Sequence, residues 1–227
     1  NGKGSVCAFT QAILTRSGLK CGKYTSPFML CPEERISIDG KSIPSTEFES
    51  LVRQMEDLAD GQSQFELWTA AAFLYFKREK CDIVVLECGM GGKGDATNII
   101  PAPEFAVITR VGLDHTAYLG NTIEEIAENK CGIIKEGTKH VVTVNQSALS
   151  VIRDRAKGIL CVAEPDKTHA LSLKGDYQQE NAGIAAEICR VLGVSETDIA
   201  YGLSHARHPG RFERFETNPE ILYDGAH

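Results

Sequence analysis

The run Asp82-Ile83-Val84-Val85-Leu86-Glu87 constrains the chain more than any other stretch. Consecutive branched apolar residues with no polar alternation predict a strand covered on both faces, and such strands belong to parallel sheets with helices on either side. The glycine-rich Cys88-Gly89-Met90-Gly91-Gly92-Lys93-Gly94-Asp95 follows at once. In open parallel sheets, ligands bind beyond the carboxyl ends of the strands. An acid closing a buried strand has few structural reasons to be there, so Glu87 is read as a functional carboxylate. Residues 105–111 predict a second central strand, with Gly112-Leu113-Asp114-His115 at its carboxyl end. From its position alone, His115 is a metal ligand, an acid/base group or a loop filler.

Helical and strand patterns alternate along the rest of the chain. Residues 6–16 predict a helix stopped at Gly18, and 19–25 a strand entering Thr25-Ser26-Pro27. Residues 35–40 alternate and end in Asp-Gly, the signature of a short hairpin strand. Ser45 or Thr46 is expected to cap a helix reaching Leu58, and residues 65–77 form an apolar helix. Glu66, at the start of that helix, is either a first-turn acid that favours the helix dipole or a polar group lining a substrate cleft. Thr122 caps a helix through Lys130, 140–144 is a strand, and 148–157 is an amphipathic helix. Residues 158–174 carry no clear pattern apart from a short expected strand at 171–173. Helices follow at 181–192 and from Ser195 to Leu203, with a last strand at 221–224. This order predicts one α/β domain, a mainly parallel sheet flanked by helices with right-handed crossovers.

The chain opens on Asn1-Gly2-Lys3-Gly4-Ser5, directly before the first helix. Glycines let backbone N–H groups approach a ligand closely, and a helix N-terminus attracts anions. Lys3 adds a full charge and Ser5 a hydroxyl within reach of Mg²⁺. This is the chemistry of a phosphate-binding loop, although Gly4 stands between the lysine and the serine, and the first glycine and preceding strand are missing from the pattern. A net charge of −7, from 31 acidic and 24 basic side chains, argues against a nucleic-acid surface. No apolar run approaches the ~20 residues of a membrane span. The eight cysteines show no CxxC spacing, so they read as buried free thiols of a reducing cytoplasm.

A phosphate loop with Lys3 and Ser5, the acid Glu87, His115 and the helix-end Lys130 suit Mg²⁺ and nucleotide phosphates. Lys130 by itself reads as a solvated helix-end lysine. Together with NGKGS at 1–5, the stretches YTSP at 24–27, LECGMGGKGDATN at 86–98, GLDHTAYLGNT at 112–122, KCGIIK at 130–135, GDYQQENA at 175–182, HPGRFE at 208–213 and DGAH at 224–227 cover almost the whole chain. In this order they resemble the folylpolyglutamate synthase / dihydrofolate synthase family, relatives of the Mur peptidoglycan ligases.

The resemblance implies a P-loop-type Mur ligase ATPase domain over residues 1–227 of an ATP-dependent ligase. Such an enzyme phosphorylates a pterin or folate carboxylate and lets the amine of L-glutamate attack the acyl phosphate. It implies ATP contacts at Gly2, Lys3, Gly4, Ser5, Asn181, Arg211, Asp224 and His227, and Mg²⁺ at Ser5, Ser26, Glu87 and His115. Lys3, Glu87, His115 and Lys130 become the catalytic set, with Lys130 a candidate for carbamylation, which would reverse its solvated reading. Thr25, Pro27, Glu66, Asp95 and Asn98 are assigned to the substrate side. The implied partners are these small molecules, with no nucleic acid or membrane, and the implied form is a cytoplasmic monomer. The chain departs from the family pattern at Phe28, where His is usual, at His208, where Trp is usual, and in a short 158–174 segment. The family's C-terminal domain would follow residue 227, so the chain by itself is expected to turn over poorly. The alternatives are a Mur-type ligase acting on a UDP-sugar peptide and a nucleotide-binding module without catalysis.

Overall fold

The computed structural model describes residues 1–215 and 217–225. Helix α1 (Lys3–Arg16) starts directly from Gly2, whose φ of 86° lies in the left-handed region, where glycine incurs no side-chain clash. Strand β1 (Cys21–Tyr24) follows, then the hairpin of β2 (Ile36–Ile38) and β3 (Lys41–Ser42). Its turn residues Asp39 and Gly40 both have positive φ, 50° and 76°, as the tight hairpin turn requires. Helix α2 (Ser45–Glu56) is entered from Pro44 without a side-chain cap. The cap expected from Ser45 or Thr46 is not used, because both already lie inside the helix. Helix α3 (Gln64–Arg78) has a reciprocal cap instead: Ser63 accepts from the Glu66 amide, and the Glu66 carboxylate accepts from the Ser63 amide and hydroxyl.

Strand β4 (Ile83–Leu86), strand β5 (Phe105–Ile108), the single turn α4 (Thr116–Leu119) and helix α5 (Ile123–Lys130) come next. Thr122 caps α5 as expected. Strand β6 (His140–Val144), helix α6 (Leu149–Ala156), strand β7 (Leu160–Ala163), helices α7 (Gln178–Val191) and α8 (Glu196–His205), and the hairpin β8 (Glu213–Phe215) and β9 (Ile221–Tyr223) complete the order. Strand β7 falls in the stretch without a readable pattern. Four apolar residues are too few to separate strand from helix by period. The strand expected at 171–173 is absent; Ser172 instead bonds through its amide to Leu203 and through its hydroxyl to Leu203 and Ala206.

The parallel α/β class holds, but the strands divide among sheets. The first has the order β3-β2-β1-β4, with β1 parallel to β4 and antiparallel to β2. The second, β5-β6-β7, is parallel throughout, and β8-β9 is a separate hairpin. Strands β4 and β5, expected at the centre of one sheet, therefore each end a sheet among the described residues. Consistent with an end position, β4 is half-buried along its whole length.

Helix α1 packs with α7 and α8 around Phe9, Ile13, Leu14, Ala185 and Leu203, all fully buried. Separate cores lie between the first sheet and α2 and α3, and between the second sheet and α5 and α6. Each large apolar side chain so buried contributes roughly 1.5–3 kcal/mol. This packing carries the N-terminus of α1 to the carboxyl ends of β1, β4 and β5. Among the described residues no helix is long and apolar enough to cross a membrane.

Candidate active site

A cavity of about 1000 Å³ opens at those strand ends and is lined by residues 1–5, Ser26, Pro27, Glu87, Asp114 and His115, with Asn181, Arg211 and Asp224 opposite. At its base no side chain caps α1, so the first amides of the helix have no side-chain partner and face the ligand space. Behind them runs a polar chain. Asn181 donates to Gln178 at 2.9 Å, and Gln178 donates to the Ser5 hydroxyl at 3.2 Å. A Cβ on Gly2 would lie 2.2 Å from the Asn181 carboxamide oxygen, so α7 fits beneath the loop only because residue 2 has no side chain.

Glu87 stands one residue beyond β4, buried, and accepts from the Ser26 amide at 3.1 Å. Burial pushes its carboxyl above the ordinary range; the Ser26 N–H and the charges of Lys3, Lys23 and Arg211 oppose that rise without cancelling it. His208 completes this wall. A Cβ on Gly4 would sit 2.6 Å from its Nε2 and 3.7 Å from a Glu87 oxygen. Burial, then Lys23 and Arg211, holds the His208 imidazole down to about 4, so it is neutral at pH 7.

His115 lines the same cavity, exposed and left-handed at φ 51°, with Nε2 3.7 Å from the Asp114 carboxylate. Lys130 does not line the cavity. Its ammonium is held below the ordinary lysine range by burial first and by the charge of Lys3 second, with Asp114 opposing. The solvated reading of this lysine is therefore wrong: it is half-buried. Among the described residues no three His, Cys, Asp or Glu side chains converge as a metal cage. Mg²⁺ does not require one, because it keeps several waters and uses one or two carboxylates with substrate phosphates. The Ser5 and Ser26 hydroxyls beside the buried Glu87 carboxylate form the hard oxygen set that suits it, and Glu87 lacks enough positive charge around it to offset its burial.

Also in the lining, Arg211 donates to the Gly225 carbonyl at 2.9 Å, and the Asp224 carboxylate accepts from the Phe212 amide at 3.3 Å. His227 lies outside the described residues. The substrate-side residues divide. Pro27, Glu66 and Asp95 line the cavity. Glu66, however, is engaged in its cap, and Asp95 accepts from the Met90 and Thr97 amides and the Thr97 hydroxyl. Asn98 is not brought in. Its amide group braces the Lys93 and Gly132 carbonyls at 3.4 and 3.1 Å. Thr25, one residue beyond β1, faces a different cavity.

Several lining residues escaped the sequence reading. Arg35 has its guanidinium 5.0 Å from the Trp68 ring, 5.3 Å from Phe28 and 5.8 Å from Phe65, with Nε and Nη1 buried and unbonded. The pairings Tyr24–Ile36 and Tyr24–Leu86 set Arg35, Thr25 and Glu87 in a row at one sheet end, with Arg35 about 10 Å from Glu87 at two strand spacings. Arg110 forms an ion pair with Glu180 at the far rim. Gln178, outside the lining and fully buried behind the loop, escaped the sequence reading too. The signal for His208 was present in the sequence, as a histidine where the resemblance expects tryptophan; Arg35 had no such mark.

Residues 1–191 match the family model of the Mur ligase middle domain. The dihydrofolate synthase/folylpolyglutamate synthase of Bacillus subtilis is 38% identical over 270 residues, covering 100% of this chain and 63% of the relative. An E. coli FolC structure in complex with DHPP and ADP has a TM-score of 0.88 at 31% identity, covering 100% of this chain and 60% of its own. An FPGS–AMPPCP–folate complex has a TM-score of 0.87 at 34% identity, covering 100% of this chain and 66% of its own. The chain thus spans less than two thirds of the length of each of these relatives.

Proposed function

The chain belongs to the Mur ligase middle-domain family, and from that premise we propose that residues 1–227 are the ATP-binding domain of a ligase that joins L-glutamate to a pterin or folate carboxylate. The relatives carry folylpolyglutamate and dihydrofolate synthase names, and similar structures hold an ATP analogue with folate or ADP with DHPP. The observation that carries the reading is the uncapped start of α1 facing the buried Glu87 across Gly4. Amides and Lys3 receive the polyphosphate, and Ser5, which accepts from Gln178, keeps one lone pair and its proton for a ligand.

The reaction follows from what a carboxylate lacks, a leaving group. Its oxygen attacks the γ-phosphorus of ATP and expels ADP. The glutamate amine then attacks the acyl carbon and expels phosphate, leaving an amide. The loop amides and Lys3 stabilise charge on the transferring phosphoryl group. Ser5, Ser26, Glu87 and His115 would hold Mg²⁺, which supplies charge neutralisation between the phosphates when bound. Glu87 orients the Ser26 turn through its hydrogen bond and brings negative charge to the site. The depressed Lys130 ammonium favours the free amine that carbamylation needs, and a carbamate there would add an anion close to Lys3. His208 stays neutral and excludes water behind Gly4. Pro27 and Asp95, with the Arg35 aromatic cluster, form the lobe for the acceptor. Eight free cysteines are consistent with a reducing cytoplasm.

The test uses the full-length protein with ATP, Mg²⁺, glutamate and either dihydropteroate or a reduced folate. ADP and amide product should form together. Glu87→Gln should lower turnover by at least ~100-fold while weakening nucleotide binding only a few-fold. Absence of ADP with both acceptors rejects the reaction, and full turnover in Glu87→Gln rejects the metal assignment.

A further inference from the structure

A second cavity, of about 610 Å³, lies behind the first, and the two share Pro27 and His208 as a wall. It opens between α1, the β1–β2 face and the segment after α8. Its volume is within the range of small-ligand pockets, and none of the chemistry above uses it.

Its charges are unevenly paired. Lys23 points into it from β1, and burial holds that ammonium below the ordinary lysine range. No hydrogen bond or ion pair among the described residues meets it. The two acids of the lining are already occupied. Glu34 accepts from the Met29, Leu30 and Cys31 amides, and Asp39 accepts from the Cys21 amide and the Thr15 hydroxyl. Glu87 faces the other cavity and makes no ion pair with Lys23. Arg16, on the rim, is tied to Asp198 at 3.4 Å and stacked 4.6 Å from Tyr201. Arg207 also lines the cavity and also lacks a partner among the described residues. Thr25, next on the same strand face as Lys23, contributes a hydroxyl with no bond of its own. A half-buried cation with no ion-pair partner is costly, and the charge of Glu87 offsets that burial only in part. Here two cations and a hydroxyl share one concave space whose two carboxylates, Glu34 and Asp39, are engaged elsewhere and pair with neither cation.

We propose that this second cavity is a binding site for a compact dianion, a phosphate or a short dicarboxylate, held by Lys23 and Arg207 with Thr25. The site is separate from the glycine loop, so it stands whether or not the loop binds ATP.

Calorimetric titration with orthophosphate and, separately, with glutarate tests it. The proteins are the wild type, Lys23→Met, Arg207→Ala and the loop variant Lys3→Met. At least one probe should still bind Lys3→Met, and its affinity should fall tenfold or more in Lys23→Met and at least threefold in Arg207→Ala. Binding of phosphate alone identifies a phosphate ligand, and binding of glutarate alone a dicarboxylate; both support the proposal. Should Lys23→Met fail to fold, the exposed Arg207→Ala change decides it. Equal affinity in wild type and both cavity variants, no binding by either probe, or a loss confined to Lys3→Met overturns it.

Discussion

Arg35 sits among Phe28, Phe65 and Trp68 with two guanidinium nitrogens buried and unbonded. An unsatisfied buried donor costs about 1–3 kcal/mol, which cation–π contact offsets only in part. Arg35→Met keeps the packing volume and removes that cost, so the variant should be as stable as wild type or more so in urea unfolding. The same change removes the charged group from the acceptor lobe and should weaken dihydropteroate binding about tenfold while sparing nucleotide. Trp68, the single tryptophan of the chain, reports both through its fluorescence. A loss of stability without a loss of acceptor affinity would make Arg35 a structural residue only. Such pairs of effects were not legible in the sequence. Glu87 and His115 could be singled out because they follow apolar strands, at the sheet ends where ligands bind. Arg35, Lys23 and Gln178 depend on which way a side chain turns and what packs beside it, and no local pattern carries that.

At the scale of elements, the helices were readable and the sheet order was not. Helix boundaries are written locally, in Thr122, which caps α5 as expected, and in Ser195, which marks the start of α8 and caps it. Strand order depends on long-range pairing, so β4 and β5 looked central from composition although each ends its sheet. Helix packing leaves a sharper prediction. A Cβ on Gly202 of α8 would lie 2.5 Å from Ile13 Cγ1 and 2.6 Å from the Ile13 backbone nitrogen and Cα. The backbone atoms cannot rotate away, so the two helices must separate. Gly202→Ala should therefore destabilise by roughly 2–3 kcal/mol, read as a lower urea midpoint at unchanged slope. Because α1 starts at the proposed phosphate loop, nucleotide affinity should fall with it. An unchanged midpoint would mean that α1 and α8 approach less closely than described.

For the whole molecule, acid sensitivity should concentrate at one tertiary clasp. Asp166 is buried, and burial alone would raise its carboxyl. Hydrogen bonds from the His169 side chain and amide and the Thr168 amide outweigh that and bring it to about 2. A carboxyl depressed in the folded state adds stability above its unfolded pKa and loses it as pH falls through the folded one. The contribution is roughly 2 kcal/mol at neutral pH. Asp166→Asn should therefore lower stability at pH 6, and the gap to wild type should narrow by about half at pH 3. A gap that stays constant with pH would exclude the clasp as its source. The clasp anchors the 164–170 segment to the start of α7 through the Asp166 amide and the Gln179 carbonyl, and α7 in turn covers α1. The bond between Gln178 and Ser5 spans 173 residues of sequence. Chain synthesis proceeds at about 5–20 residues per second, so the apolar face of α1 leaves the ribosome roughly 10–35 s before the helices that bury it. The glycine loop at residues 1–5 is thus completed only after α7 has emerged, and until then Phe9, Ile13 and Leu14 are surfaces for a chaperone to hold.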